Sequence, residues 1–293
     1  MKIEEYLKTK ADAINKYLDK LIPLSNTPES VLYQAARYSL LGGGKRVRPI
    51  LAIATAESFH IPEESVIHAA SALELVHTYS LIHDDLPCMD DDDLRRGQPT
   101  LHKVFPESHA VLAGDFLLTK AFEILATAPN LSDSKKVRLI ELLAKNSGGE
   151  GMISGQILDI DSEGKNIDIH TLNHIHVNKT GALIAASLEF GGIIADATHL
   201  QQEVLSKFGL KIGLLFQIID DILDICGSQE LIGKTINSDL TNEKVTYVSL
   251  IGIENAKIKA QELLNEAKSL LLDLNFETTV LSQIADFIFS RQQ

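Results

Sequence analysis

A dense run of acidic residues at the end of an apolar stretch is the strongest chemical signal in the sequence. Six of the ten residues from Asp84 to Asp93 are aspartate, and Arg95 and Arg96 follow at once. Carboxylates gathered this closely repel one another, so a chain that keeps them together needs a positive partner. Divalent metal ions are candidates, because carboxylate oxygens suit Mg²⁺. The alternative is a solvated acidic loop, which most charge runs are.

A second acidic cluster lies in the middle of an apolar segment. Asp220 and Asp224 are four residues apart and would share one helix face, with Asp221 beside them. The flanking leucines and isoleucines indicate a buried helix, where unpaired carboxylates are costly. A metal site is therefore favoured over a pair of surface acids. Two such clusters facing each other could hold a diphosphate through bridging Mg²⁺.

Several basic residues could complete an anion site. Lys45 and Arg48 follow the glycine-rich turn at 42–44, where the backbone can approach a ligand closely. His77 lies seven residues, about two helical turns, before Asp84 on the same face. Further cations lie late in the chain, at Lys179, which precedes Thr180, and at Lys234 and Lys244. The alternatives are solvated surface bases and a histidine satisfied within the core.

Helical periodicity dominates the elements that must position these residues, and no sustained period-2 alternation or Asn-Gly or Asp-Gly hairpin turn is present. One helix is predicted to begin at Thr27 as N-cap, another to follow Arg48-Pro49, and a third to run from Pro62 to about Asp85. The other predicted helices span 3–20, 107–127, 133–147, 151–160, 169–194, 201–225, 252–272 and 278–290. The sequence predicts one large all-α domain over 1–293, a bundle with long central helices.

Composition narrows the class of protein. The 293 residues carry a net charge of −13, which argues against binding a nucleic acid backbone. The two cysteines are far apart in sequence, which fits a reducing cytoplasm. The most apolar run, near 181–195, is interrupted by Glu189, so no stable membrane insertion is expected.

The motifs, taken in order, resemble the short-chain trans-prenyl diphosphate synthases, and most closely the bacterial-type farnesyl diphosphate synthases. The similarity covers most of the chain, and its motifs are strong only as a set: Gly43 to Pro49, His83 to Gly97, Ala113-Gly114-Asp115, Gly155 to Asp159, Lys179-Thr180-Gly181, and Phe216-Gln217 leading into Asp220 to Asp224. The resemblance implies an all-α bundle of the isoprenoid synthase type with a central cavity. It also implies a homodimer.

The resemblance also implies a role for each matching residue. Mg²⁺, three ions with the allylic diphosphate bound and with Mn²⁺ as a substitute, would be held by Asp84, Asp85, Asp90, Asp220, Asp221 and Asp224. The allylic diphosphate would be lined by Arg95, Lys179, Thr180, Gln217 and Lys234, with Lys244 closing the site. The diphosphate of isopentenyl diphosphate would be bound by Lys45, Arg48, His77 and Arg96.

The resemblance also implies that product length is set by the helix just before the first acidic cluster. Tyr79 lies five residues before Asp84, about 7.5 Å along the helix, and Ser80 follows it. A bulky ring there would form the floor of the pocket for the growing chain and favour the fifteen-carbon farnesyl diphosphate. The alternative is that Tyr79 is only a core residue.

Three departures from the family pattern stand out: Glu243 to Thr246 replaces a Gly-Lys-Ser/Thr-Thr motif, Ile219 replaces a polar residue, and the C-terminus has few bases. Four other functions are alternatives. A geranyl or geranylgeranyl diphosphate synthase would differ only in product, and a modulatory subunit would lack one acidic cluster. A terpene cyclase would lack the basic site, and a His-Asp phosphohydrolase would need His174 or His176 to join His83.

Overall fold

The computed structural model describes residues 2–24, 26–226 and 244–290. Its helices are α1 (Ile3–Leu21), α2 (Ser30–Leu41), α3 (Val47–Ser58), α4 (Ile67–Asp84), α5 (Leu101–Val104), α6 (Glu107–Ala126), α7 (Asp133–Ser147), α8 (Met152–Ser162), α9 (Ile169–His176), α10 (Ala182–Ile194), α11 (His199–Cys226), α12 (Tyr247–Ile251), α13 (Ile253–Leu271) and α14 (Thr279–Ser290). A 3₁₀ turn, Glu63–Ser65, precedes α4, and a π-helical turn, Val177–Gly181, joins α9 to α10. Two short strands, β1 (Leu94–Arg95) and β2 (Gln98–Pro99), pair antiparallel. The all-α prediction is confirmed.

Helices α4 and α10 lie at the centre of the bundle. Both are apolar around most of their circumference, which is the pattern of a helix enclosed by others. Helix α4 packs against α1, α3, α6 and α10, while α10 also packs against α3, α7 and α11. The buried apolar side chains form one core around them. Because α4 ends at Asp84, the core helix delivers the first acidic cluster to its position.

Close contact with the π-helical turn and with α10 fixes the position of α11, the helix that carries the second acidic cluster. A Cβ atom on Gly213 would lie 2.6 Å from the Gly181 Cα, and one on Gly209 would lie 2.4 Å from the Ala185 Cα. Two glycines four residues apart therefore let the backbones touch along one helix face. Gln217 is one turn further along that face, and Asp220 follows it.

The structure differs from the sequence predictions at several helix boundaries. The helix predicted to begin at Pro62 begins at Ile67, because residues 63–65 form the 3₁₀ turn. Helix α2 begins at Ser30 and not after Thr27, because residues 27–30 form a turn in which the Ser30 N–H donates to the Thr27 carbonyl at 2.9 Å. Helix α3 begins at Val47, before the predicted start at Arg48-Pro49. The predicted continuous helix over 169–194 contains the π-helical turn, a feature often found at functional sites.

The hairpin of β1 and β2 was not predicted. Its two turn residues, Arg96 and Gly97, have φ of 55° and 76°, the conformation of a tight two-residue hairpin turn. Arginine is an unusual first residue for such a turn. Here its guanidinium donates to the Gly43 carbonyl, which holds Arg96 in place across the site.

Removing one partner of the buried ion pair beneath the glycine-rich turn should destabilise the fold strongly. Arg46 donates to Glu74 at 2.6 Å, to Asn15 at 2.8 Å and to the Leu40 carbonyl at 2.6 Å. Arg46→Ala would remove the hydrogen-bonded partner of the buried Glu74 carboxylate and leave it only Arg96, 3.8 Å away, within ion-pair distance. We therefore expect a loss of up to about 3–5 kcal/mol in the free energy of unfolding, measured by urea denaturation. Lys268→Ala breaks an exposed pair and should cost less than about 1 kcal/mol. Equal losses in the two variants would contradict this account.

Candidate active site

The first acidic cluster divides into residues that face the site and residues that do not. The Asp90 N–H donates to the Asp84 carbonyl at 2.9 Å, so the chain turns back and brings these two residues together. Asp93 is exposed and pairs with Lys103 at 2.8 Å. Burial and the charge of Asp90 raise the pKa of Asp84. The carboxylate of Asp84 is thus in a position where added positive charge would stabilise it.

Arg95 offsets part of this negative charge, as its place in the sequence suggested. Its Nε donates to Asp85 at 2.8 Å, and its Nη2 donates to Asp92 at 2.9 Å. Burial lowers the pKa of Arg95, but the carboxylates of Asp85, Asp92 and Asp84 outweigh burial and raise it. Strand β1 therefore places a permanent cation behind the end of α4.

Two lysines from distant parts of the chain meet at the first acidic cluster. Lys244 Nζ lies 3.0 Å from Asp90 Oδ1 and 3.8 Å from Asp159 Oδ2, while Lys179 Nζ lies 2.7 Å from the same Asp159 oxygen. Both lysines act to lower the pKa of Asp84 against the effect of burial. The sequence predicted the two lysines as phosphate ligands, and the structure brings them to one place.

Close packing of α8 explains how Asp159 reaches both lysines. A Cβ atom on Gly155 would lie only 2.2 Å from the Lys179 backbone nitrogen, so α8 and the π-helical turn touch there. Asp159 is one turn beyond Gly155 on the same face. Burial raises the pKa of Asp159, but Lys179 and Lys244 outweigh burial and lower it.

The second acidic cluster lies across the same cleft. The Tyr247 N–H donates to Asp221 Oδ2 at 2.8 Å, while Lys244 contacts Asp90 of the first cluster. Only two residues lie between Lys244 and Tyr247, and an extended chain covers at most about 10 Å over these three residue steps. The segment from Lys244 to Tyr247 therefore links the two clusters, and the space between them is the acidic cleft. Thr180 donates to Gln217 on the wall between them.

The basic residues near the glycine-rich turn form a separate site. A Cβ atom on Gly44 would lie 2.5 Å from the Arg96 guanidinium carbon, so glycine is required for Arg96 to cross the turn. Burial, and then the charge of Arg96, lower the pKa of Arg48 to about 10 although Glu74 opposes this change. Lys45 is exposed at the edge of an apolar cavity that Phe216 also lines.

His77 lies among four arginines. Burial, then the charges of Arg48 and Arg96 and, more weakly, of Arg46 and Arg95, lower its pKa well below the ordinary value. This site holds more positive than negative charge, which suits a second anion. The structure thus groups Arg48, His77 and Arg96 as the resemblance implied.

The pKa of His77 leads to a pH prediction. Its folded-state pKa is depressed, so its contribution to stability is present above the unfolded pKa of about 6.5 and is lost as the pH falls. The unfolding free energy should decrease as the pH falls from about 6.5 to 5. We expect this decrease to be smaller in His77→Asn, by at most about 1.4 kcal/mol per pH unit. Urea denaturation at several pH values measures this slope.

The matched control for the pH prediction is His199→Asn, because that histidine is exposed on the surface. The slope should change more in His77→Asn than in His199→Asn. An unchanged slope in His77→Asn would contradict the placement of His77 among the arginines.

The predicted chain-length residues lie one to two turns before Asp84. Tyr79 is buried, its ring meets the His83 ring edge-on at 5.7 Å, and its hydroxyl has no hydrogen-bond partner in the described part of the chain. Burial and Asp84 raise the pKa of Tyr79 to about 12. The Ser80 hydroxyl donates to the His77 carbonyl at 2.9 Å, so it is occupied within its own helix.

Three residues of the site were assigned no role from the sequence: Glu74, Asp159 and Tyr247. His176 was assigned one only in the His-Asp phosphohydrolase alternative. Glu74 gave a signal, since it is a lone acid in an apolar helix. Asp159 ended a motif of the resemblance, whereas the contacts of Tyr247 are purely tertiary. Lys234, Glu243 and residues 291–293 lie outside the described residues.

The described residues contain no preassembled group of three His, Cys, Asp or Glu ligands. The metal ligands of a His-Asp phosphohydrolase are not brought together there. His83 Nε2 lies 3.1 Å from the Val111 carbonyl oxygen, and His174 is exposed. Nor do the described residues include a helix long and apolar enough to cross a membrane. The acidic clusters are the remaining candidates for metal binding, in a form that needs a substrate to complete it.

Comparison with known proteins gives a consistent result. A family model described as "Polyprenyl synthetase" matches residues 29–270. The chain is 47% identical to the large subunit 1 of a heterodimeric chloroplastic geranylgeranyl pyrophosphate synthase from Arabidopsis thaliana, covering 98% of this chain and 79% of that one. It is 46% identical to farnesyl diphosphate synthase of Haemophilus influenzae, covering 95% of each. A Helicobacter pylori geranyltransferase, solved with magnesium and isoprenyl diphosphate, superposes with a TM-score of 0.85 at 36% identity and covers 98% and 96%.

Proposed function

The chain belongs to the polyprenyl synthetase family, and on that premise we propose that it condenses an allylic diphosphate with isopentenyl diphosphate to give farnesyl diphosphate. The allylic substrates are dimethylallyl and then geranyl diphosphate. The sequence prediction of this family, and of a prenyltransferase, is confirmed. The observation that carries the proposal is the separation of an acidic cleft, with two lysines, from a second site built of arginines.

The donor set of the acidic cleft fits Mg²⁺. The cleft offers carboxylate oxygens, which Mg²⁺ prefers, and the raised pKa of Asp84 reflects the burial of a carboxylate. The resemblance assigns six carboxylates to this metal: Asp84, Asp85, Asp90, Asp220, Asp221 and Asp224. Bound Mg²⁺, which Mn²⁺ could replace, would supply positive charge to the leaving diphosphate. A count of three ions is carried over from the resemblance alone.

The residues of the cleft would support ionisation of the allylic substrate. Its carbon–oxygen bond breaks, and Lys179 and Lys244 neutralise the charge that grows on the departing diphosphate. Arg95, Thr180 and Gln217 line the same place, and Lys234 is assigned there from the resemblance. The apolar helices that surround the cleft keep water from the allylic cation.

The basic site would hold the second substrate. Lys45, Arg48, His77 and Arg96 bind the diphosphate of isopentenyl diphosphate, so that its double bond can attack the allylic cation. A new carbon–carbon bond forms, and a proton is lost to the departed diphosphate. Neutral His77 can accept a hydrogen bond or take up a proton when an anion binds.

Product length is assigned to α4. Tyr79 fills the position one turn and a half before Asp84, and Ser80 lies beside it, so the chain would stop growing at fifteen carbons. Relatives that carry the farnesyl and the geranylgeranyl names are similarly close, so the buried ring of Tyr79 is the support for the shorter product. A geranylgeranyl diphosphate synthase is the second candidate.

We also infer one domain over residues 1–293, a homodimer and a cytoplasmic location, without nucleic acid partners or membrane insertion.

The experiment that tests the function is incubation with isopentenyl and dimethylallyl diphosphates, with Mg²⁺ or with EDTA, followed by chromatography of the dephosphorylated products. We expect farnesol with Mg²⁺ and no condensation in EDTA. Absence of any condensation product with Mg²⁺ would refute the proposal, and geranylgeraniol would favour the second candidate.

A further inference from the structure

The segment Lys244–Tyr247, here called the strap, contacts both acidic clusters. At its start Lys244 Nζ lies 3.0 Å from Asp90, and at its end the Tyr247 N–H donates to Asp221 at 2.8 Å. Thr246 and Ser249 exchange hydrogen bonds that begin α12 at Tyr247. The position of Lys244 in the cleft therefore depends on where Tyr247 is held.

Asp221 faces a different direction from its neighbours. Asp220 and Asp224 are four residues apart and share one face of α11, whereas Asp221 is turned by about 100° from Asp220. Asp221 is 5% exposed, and its Oδ2 receives the Tyr247 N–H and lies 3.9 Å from His176 Nε2. The same oxygen thus already accepts a hydrogen bond from the backbone of the protein.

Helix α9 holds the side chain of Tyr247. The Tyr247 ring stacks on the His176 ring with centroids 5.9 Å apart and an interplanar angle of 16°, and its hydroxyl donates to Asn173. His176 is buried, and its Nε2 has no hydrogen-bond partner among the described residues. The ring, the hydroxyl and the backbone N–H of Tyr247 are therefore all engaged, and Asp221 receives the backbone N–H.

We propose that Asp221 is a positioning residue that anchors the strap, and with it Lys244, and that it is not one of the carboxylates that bind metal. This inference rests on the proposed function, because it divides the second acidic cluster of that site into two roles. Asp220 and Asp224 supply the metal-facing carboxylates. Asp221 acts through the strap on the lysine that meets the diphosphate.

The anchoring role is tested on metal-free protein by hydrogen exchange of the peptide that contains residues 244–251. Asp221→Asn keeps an oxygen that can accept the Tyr247 N–H, whereas Asp221→Leu has a similar shape and no acceptor. We expect exchange of the strap within about twofold of the unaltered chain for asparagine, and about tenfold faster or more for leucine. Unchanged protection in Asp221→Leu would overturn the anchoring role.

The second half of the proposal is tested by Mn²⁺ binding in the presence of inorganic diphosphate, followed by electron paramagnetic resonance. This test uses asparagine variants only, so it stands if Asp221→Leu does not fold. We expect Asp221→Asn to bind Mn²⁺ within about threefold of the unaltered chain, and Asp220→Asn to bind about tenfold more weakly or worse. Equal weakening in both variants would overturn the proposal. Failure of the unaltered chain to bind Mn²⁺ would refute the proposed function, while the exchange data would still decide the anchoring role.

Discussion

Replacing Asp84 by asparagine is expected to lower kcat about a thousandfold, because the lost carboxylate contributes several kcal/mol through the metal that it would hold. Asp84 ends the core helix α4, and burial and Asp90 raise its pKa, so its surroundings favour a cation. The variant should also bind Mn²⁺ more weakly in the presence of inorganic diphosphate. Steady-state turnover and Mn²⁺ titration measure the two effects separately.

The acidic run supplies its own control for this prediction. Asp93→Asn changes a carboxylate nine residues away that is exposed and paired with Lys103, so its kcat should stay within about twofold of the unaltered chain. Retention of more than about a tenth of the activity by Asp84→Asn would contradict its role. Loss of activity in Asp93→Asn as well would indicate that the whole run acts as one charged unit.

Replacing Tyr79 by alanine is expected to change the main product from fifteen carbons to twenty or more. The ring is buried against His83 at a centroid distance of 5.7 Å, and its hydroxyl has no hydrogen-bond partner in the described structure. The side chain of Tyr79 therefore acts through the space that it fills. Its removal opens space along α4 about 7.5 Å from Asp84. Chromatography of the dephosphorylated products measures the change.

The control for Tyr79 is phenylalanine, which keeps the ring and removes only the hydroxyl. Tyr79→Phe should keep the fifteen-carbon product. The alanine variant should lose about 3–5 kcal/mol of unfolding free energy through the cavity that it creates, so assays belong well below its melting temperature. A fifteen-carbon product from folded Tyr79→Ala would show that Tyr79 is only a core residue.

Local patterns in the sequence predicted the helices and both acidic clusters. Periodic apolar residues define helix faces within a few turns, so the end of α4 at Asp84 and the common face of Asp220 and Asp224 followed from spacing alone. The π-helical turn at 177–181 was not predicted. It lies where Lys179 packs against Gly155 on another helix, a contact that the local pattern of the sequence does not contain. Contacts between helices that are distant in sequence produce no periodic pattern of apolar residues.

Spacing in the sequence could not predict which aspartates face the site and which pair elsewhere. Asp91 adopts a positive φ of 47°, which redirects the chain, and Lys103 then pairs with Asp93 while Asp90 turns back to Asp84. The partner of Asp90, Lys244, lies 154 residues further along the chain. The anchoring of Tyr247 by Asp221 depends on a similar tertiary contact.

The most direct test of two chemically distinct diphosphate sites is the affinity of dimethylallyl thiolodiphosphate, an unreactive allylic analogue, measured calorimetrically with Mg²⁺ and with EDTA. The acidic cleft should bind this anion only through metal, so we predict that EDTA weakens binding about a hundredfold or more. Arg48→Gln, altered in the basic site, should show the same dependence. Equal affinity in Mg²⁺ and EDTA would contradict the account, because the allylic diphosphate would then bind to the protein's cations alone.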